Sequence, residues 1–292
     1  MNYKKLYLSI LILFLNSFAE NASLIVFSYN RPLQLYSFLE SVKCYVNCLD
    51  SICVIYRADP DYKSAYKQVA NVFPSVEFNR QKNPKADFKY LTVKAFDKAP
   101  SNYILFAVDD IIVKDFINIA DCVEALKKTN AYGFFFRLGK SVNFCYMTNN
   151  FQGIPNLSLL DNDMFIWKFN SGMYDWNYPN NLDMTLYLKN KIRNMIYTLH
   201  YNSPNTLEGQ WACRADLNQF GLCYGDSKII NLPMNITQND CPGNRNNNSF
   251  TTNELLSLFQ NGFKLDIRPF FKLQNNSAHI NFTDIQFIAR ER

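Results

Sequence analysis

The chain has 292 residues, 48% of them hydrophobic and 19% charged, with a formal net charge of +5. That length can bury a full core as one large α/β domain, and the balance excludes wholesale disorder. No basic stripe with interleaved aromatics occurs, which excludes a nucleic-acid partner.

The N-terminus opens on Lys4 and Lys5, followed by an almost unbroken apolar run from Leu6 to Phe18 and small residues at Ser17 and Ala19. This pattern predicts a secretory signal peptide over 1–19. The run is short for a spanning helix, which needs ~20 apolar residues. An uncleaved signal anchor, with membrane association through this segment, is the alternative. Cleavage would remove Lys4 and Lys5 and leave +3. Eight cysteines (Cys44, Cys48, Cys53, Cys122, Cys145, Cys213, Cys223 and Cys241) fit an exported protein with some disulfides, in a pairing the sequence does not give. Their spacing does not suit a structural zinc. Asn-x-Ser/Thr triplets begin at Asn21, Asn156, Asn235, Asn247, Asn275 and Asn281, but so Asn-rich a chain produces them by chance.

From residue 23 to about 113, short apolar runs alternate with amphipathic stretches. Leu24-Ile25-Val26-Phe27 suits a strand buried on both faces. After Pro32, apolar residues from Leu33 to Val42 fall at helical spacing. Ser51 to Tyr56 reads as a second strand and Tyr62 to Phe73 as a second helix face. Val76-Glu77-Phe78 is a short third strand, Phe88 to Phe96 a third helix, and Tyr103 to Val108 a fourth strand. Strands alternating with helices imply a mostly parallel sheet with right-handed crossovers. Beyond it, Gly133 to Phe136 and Met164 to Trp167 read as strands, while Leu182 to His200 and Asn205 to Asn218 read as helices. Residues 238–250 form a Pro-, Gly- and Asn-rich loop, and Asn253 to Gln260 a short helix stopped by Gly262. Residues 20–292 therefore make one domain, with a first half over 20–115 and a less regular second half over 116–292.

Asp109 and Asp110 directly follow the fourth apolar strand. In open parallel sheets, ligands bind beyond the carboxyl ends of the strands. Two adjacent acids there are poorly placed for packing and well placed for Mg²⁺ or Mn²⁺, which takes one or two carboxylates plus water and substrate phosphates. A solvated turn, or Asp110 capping the next segment, is the plainer alternative. The first strand ends in Ser28-Tyr29-Asn30-Arg31-Pro32. Its polar side chains suit a nucleoside and Arg31 suits a pyrophosphate, although Pro32 at a first helical position also makes this an ordinary strand-to-helix turn.

A first strand ending Ser-x-Asn-Arg-Pro, a second ending Arg57-Ala58-Asp59 and a fourth ending Asp109-Asp110 together resemble the GT-A glycosyltransferases, in particular the family 2-like group. The resemblance covers roughly residues 23–115. It implies a Rossmann-like GT-A fold, a nucleotide-sugar donor, and a glycan or other hydroxyl acceptor. It also implies nucleotide-binding roles for Ser28, Asn30, Arg31, Asp59 and Asp109, and a metal-binding role for Asp110. The usual Asp-x-Asp appears as Val108-Asp109-Asp110, so its first acid is absent.

In the second half, Ser171 to Pro179 is dense in aromatics and amides, as an acceptor wall that stacks on sugar rings would be; a loop folded on its own aromatics gives the same composition. An inverting transfer needs a carboxylate within reach of the acceptor hydroxyl. Ser203 to Trp211 resembles the acidic segment on the acceptor side of the family, which implies Glu208 as the base, with Asp183 the second candidate. Asn205 and Glu208 also have capping-box spacing. Late in the chain, His279 stands where many GT-A enzymes bring a histidine to the metal, and imidazole suits Mn²⁺. The alternative to an enzyme is an exported carbohydrate-binding or effector protein that keeps the fold without catalysis. A nucleotidyltransferase is disfavoured, because no Gly-rich phosphate loop is present.

Overall fold

A computed structural model of the chain describes residues 20–237, 245 and 249–291. The expected signal segment 1–19, Cys241 and most of the expected 238–250 loop lie outside the described residues. The chain runs β1 (Ala22–Tyr29), α1 (Pro32–Tyr45), β2 (Leu49–Arg57), α2 (Lys63–Val72), β3 (Glu77–Arg80), α3 (Phe88–Lys98), β4 (Tyr103–Val108), β5 (Ile111–Val113), α4 (Ile119–Thr129) and β6 (Gly133–Phe135). Then come β7 (Ser158–Leu159), β8 (Met164–Lys168), β9 (Thr185–Leu188), α5 (Lys189–Thr198), α6 (Pro204–Ala212), β10 (Phe220–Tyr224), β11 (Ile229–Asn231) and α7 (Thr252–Gln260), among shorter pieces.

Nine strands form one sheet in the order β7-β8-β10-β6-β9-β4-β1-β2-β3. The register makes seven of the nine run the same way, with β8 and β9 opposed. This is the α/β architecture with a mostly parallel sheet flanked by helices that the sequence implied. Alternation along the strands explains the apolar runs. Leu24 and Val26 of β1 enter the core under α1, α2, α4 and α7, while Ile25 and Phe27 enter the opposite one with α3, α5 and α6. In β4, Leu105 and Ala107 take the first side, Ile104 and Phe106 the second. A strand buried on both faces has no polar side to display, and each such large side chain contributes roughly 1.5–3 kcal/mol. A third core, built on Phe135, Trp167 and Trp176, lies under the β8–β10 end.

Four expectations are corrected. Leu182 to His200 is not one helix: its first part is strand β9, inserted between β4 and β6 with Leu186 opposite both Leu105 and Phe134. A central strand buried on both sides has the same continuous apolar character as a buried helix turn, so periodicity alone does not separate them. The helix expected over 205–218 stops at Ala212, and β10 follows. Its capping box is Ser203 with Thr206, not Asn205 with Glu208, which leaves the Glu208 carboxylate free of that duty. Disulfides are likewise absent among the described residues: seven cysteines are free thiols, and Cys122, Cys145 and Cys223 are buried as small apolar groups. No helix among the described residues is long and apolar enough to cross a membrane.

Candidate active site

The carboxyl ends of β1, β2 and β4 open into a cavity of about 1080 Å³. Of the nine residues singled out from sequence, Ser28, Arg31, Asp109, Asp110, Asp183, Glu208 and His279 line it. Asn30 and Asp59 do not. They brace each other behind its wall: Asn30 Nδ2 donates to Asp59 Oδ2 (2.8 Å), and Asp59 N donates to Asn30 Oδ1 (3.0 Å). Asn30 sits at φ 53°, a left-handed turn that asparagine tolerates. The pair thereby locks the end of β1 to the end of β2.

Arg31 is the hub of the first charge cluster. Its Nη1 lies 3.0 Å from Asp109 Oδ1 and 3.2 Å from Asp110 Oδ2, and its Nε donates to Asn235 Oδ1 at 2.9 Å. Nη2 donates to the Asn235 carbonyl. Burial works against the guanidinium charge, but Asp109 and Asp110 outweigh it and raise the Arg31 pKa. Burial pushes Asp109 up to about 6; Arg31 opposes this and Asp110 adds to it. Behind Arg31, the Tyr66 hydroxyl accepts from Arg31 N (3.1 Å) and pairs with Ser28 Oγ (2.6 Å). Burial and Asp109 raise the pKa of that phenol. Tyr66 belongs to the apolar face of α2 in the sequence, and nothing there distinguishes its hydroxyl. Tyr66→Phe should lower stability by about 1–3 kcal/mol, since it strands the Arg31 amide. Thermal melting checks this, and a melting temperature unchanged from wild type would remove the role. Arg57 is another lining residue that spacing did not single out; its guanidinium covers the Tyr29 ring at 4.1 Å.

The second charge cluster centres on Arg137, which directly follows the apolar run through β6 and is 1% exposed. Its Nη1 is 2.7 Å from Asp175 Oδ1 and 4.0 Å from Asp183 Oδ2, and its Nη2 donates to the carbonyls of Asp175 and Tyr178, both at 3.3 Å. Glu208 Oε1 accepts from Leu182 N at 3.3 Å. Burial, reinforced by Asp183, pushes Glu208 up to about 8, although Arg137 and the Leu182 amide pull the other way. A carboxyl raised to that range can exchange a proton near neutral pH.

Strand β11 joins the two clusters. Asn231 Nδ2 donates to Asp183 Oδ1 (3.1 Å), the next residue Leu232 donates its N–H to the Asp110 carbonyl (2.8 Å), and Asn231 pairs by a β-bridge with His279. This is how a histidine remote in sequence reaches the cavity wall, where its ring stacks on Tyr146. Among the described residues, no three His, Cys, Asp or Glu side chains converge as a metal cage. Asp110 Oδ1 and Asn231 Oδ1 are nonetheless buried oxygens without a hydrogen-bond partner among the described residues. Asn235, an Asn-x-Ser/Thr asparagine, is buried and holds Arg31.

No family model matches the chain. The bifunctional glycosyltransferase pgtA of Dictyostelium discoideum is 28% identical over 199 residues, covering 61% of this chain and 25% of that protein. The chain is similar in sequence to a glycosyltransferase. It spans about a quarter of that relative's length. Among solved structures, residues 1–349 of TarS from S. aureus superpose with a TM-score of 0.46 and 14% identity, covering 72% of this chain and 59% of that one. The same protein has been solved in complex with UDP-GlcNAc. Mannosyltransferase PcManGT from Pyrobaculum calidifontis, in complex with GDP-Man and Mn²⁺, gives a TM-score of 0.39 and 10% identity over 64% of this chain and 50% of that one.

Proposed function

We propose that this chain transfers a sugar from a nucleoside-diphosphate donor to a hydroxyl of a glycan or another acceptor. The observation that carries the reading is one cavity lined by two charge clusters, Arg31–Asp109–Asp110 and Arg137–Asp183–Glu208. The first suits a nucleoside diphosphate, and the second supplies a base. The likeness to a protein named as a glycosyltransferase supports it.

In this reading Ser28 and Asp109 hold the nucleoside, with Asn30 and Asp59 as the brace behind them. Arg31 meets the diphosphate, where a guanidinium favours the charge that accumulates as the leaving group departs. Asp110, through its unpartnered buried oxygen, and His279, carried to the same wall by its bridge to Asn231, are the protein groups that fit a divalent cation. Mg²⁺ or Mn²⁺ takes few protein ligands and completes its shell with phosphate and water, so two suffice. Such a cation supplies further positive charge to the leaving diphosphate. Glu208, as a carboxylate, removes the proton from the acceptor hydroxyl. The acceptor oxygen then bonds to the anomeric carbon, and the bond to the diphosphate breaks with its electron pair leaving on the phosphate oxygen. Asp183 keeps the Glu208 proton affinity high and is itself held by Asn231 and weakly by Arg137.

Hydrolysis of a panel of UDP- and GDP-sugars, with and without Mn²⁺, tests this reading. Asp110→Ala is expected to reduce the rate by about 100-fold or more, the scale of losing one electrostatic group at a developing anion. A rate unchanged by the substitution would remove the metal assignment.

A further inference from the structure

We propose that the acceptor is a glycan, and that Tyr174 with Met173 forms the platform on which its sugar ring lies. This rests on the transferase reading above and narrows its acceptor class. Both residues line the cavity and are 39% and 49% exposed, while their neighbours Asp175 and Trp176 are buried. A large apolar side chain left open on a cavity wall forgoes the burial that would stabilise it, so its position there has to be imposed by its surroundings.

A locked turn imposes it. Asp175 is clamped by Arg137 (2.7 Å) and exchanges two 3.0 Å hydrogen bonds with the Gln152 side chain, one through its N–H and one through Oδ2. Trp176 is fully buried, donates Nε1 to the Val142 carbonyl (2.9 Å) and accepts from Trp167 Nε1 at its own carbonyl (2.9 Å). With the next two residues fixed, Tyr174 is forced to φ 49°, and among the described residues it is the only aromatic with a positive φ. Bulky side chains avoid this region, and one persists there only where its surroundings over-determine it. The strain turns the phenol ring away from the core formed by Trp167 and Trp176 and into the cavity shared with Glu208.

A pyranose presents one face of C–H groups and a rim of hydroxyls. The face matches an exposed aromatic ring beside a polarizable thioether in the sequence, and the rim can bond to Asn177 and Asn202, which line the same cavity. The side chain of a serine or threonine acceptor would leave the ring uncovered. The segment 171–179 therefore divides its labour: Trp176 and Asp175 build the turn, and Tyr174 and Met173 present the surface.

The test uses the full chain, its Tyr174→Ala and Tyr174→Phe variants, and methyl glycosides of common hexoses against a Ser/Thr peptide pool. Calorimetry and transfer assays are read side by side. Tyr174→Ala is expected to weaken glycoside binding and raise acceptor KM by about tenfold, with a smaller effect on kcat. Tyr174→Phe should behave as wild type, because stacking needs the ring and not the hydroxyl. Glycoside binding indifferent to Tyr174→Ala, or binding and transfer to peptides alone, would overturn the platform. Tyr174-dependent glycoside binding without hydrolysis of any donor would uphold the platform and instead strike the transferase reading.

Discussion

Replacing Glu208 by Gln is expected to lower kcat/KM by about 10²–10⁴-fold, the range that a positioned general base supplies. In the wild-type protein kcat/KM for the proposed transfer should rise with pH until it levels off above about 8, the value to which burial and Asp183 push this carboxyl. Below it most molecules hold the proton and lack the base. The groups facing Glu208 are Asp183, Arg137, Tyr178 and the Leu182 amide, and the Arg137 guanidinium and Tyr178 phenol are both held above their ordinary values. In the Gln variant the residual rate should lose that limb. Stability moves the opposite way. Relative to its ordinary 4.5, the folded pKa is raised, so the folded protein holds a proton that the unfolded chain has already released. The stability from this group is complete below about pH 4.5 and is lost as pH rises through about 8. Glu208→Gln should therefore flatten the stability profile over that window. A Gln variant with wild-type activity, together with an inactive Asp183→Asn, would move the base to Asp183.

Substitution of Arg137 by Met is expected to cost about 3–5 kcal/mol, the usual penalty for removing one partner of a buried ion pair. In a chain of this size that corresponds to a melting temperature lower by roughly 6–20 °C. One guanidinium serves Asp175, Asp183 and two backbone carbonyls, and Met fills its volume without replacing any of those bonds. Burial opposes its charge, but Asp175, Asp183 and Glu208 together outweigh burial and raise its pKa. Arg137→Lys restores the charge but not the fork, so it should recover only part of the loss. A Met variant that melts within about 2 °C of wild type, well inside that range, would show that the cluster is not a stabilising unit. Because Arg137 also fixes Asp175, the same variant should loosen the turn that presents Tyr174.

The fold of the first half was legible because its information is local. The run Leu24–Phe27 announces a strand buried on both faces, and polar residues at the ends of β1, β2 and β4 converge because parallel strands share a carboxyl edge. The second half depends on long-range pairing. Leu182 to Leu188 has the apolar content of either a helix or a central strand, and only its partners Leu105 and Phe134 decide between them. Arg137 gives one signal in sequence, a lone charge closing an apolar run, and its partners lie 38 and more residues away. Asn231 and Asn235 are lost among many asparagines. Asn30 and Asp59 stand out in the sequence, but spacing does not tell a side chain that faces a ligand from one that supports its neighbour.

The Arg31–Asn235 contact spans 204 residues, and this affects how the protein is made. At synthesis rates of about 5–20 residues per second, Asn235 is added roughly 10–40 s after Arg31. From the addition of Asp110 until that of Asn235, the growing chain holds Asp109 and Asp110 without the full set of contacts that fixes their guanidinium partner. Strand β9, which separates β4 from β6 in the sheet, also arrives late. The Arg31 end of the cavity is therefore encoded first and completed among the last, so a nascent chain halted near residue 115 would contain Arg31, Asp109 and Asp110 and still lack the Asn235 contact that completes their cluster.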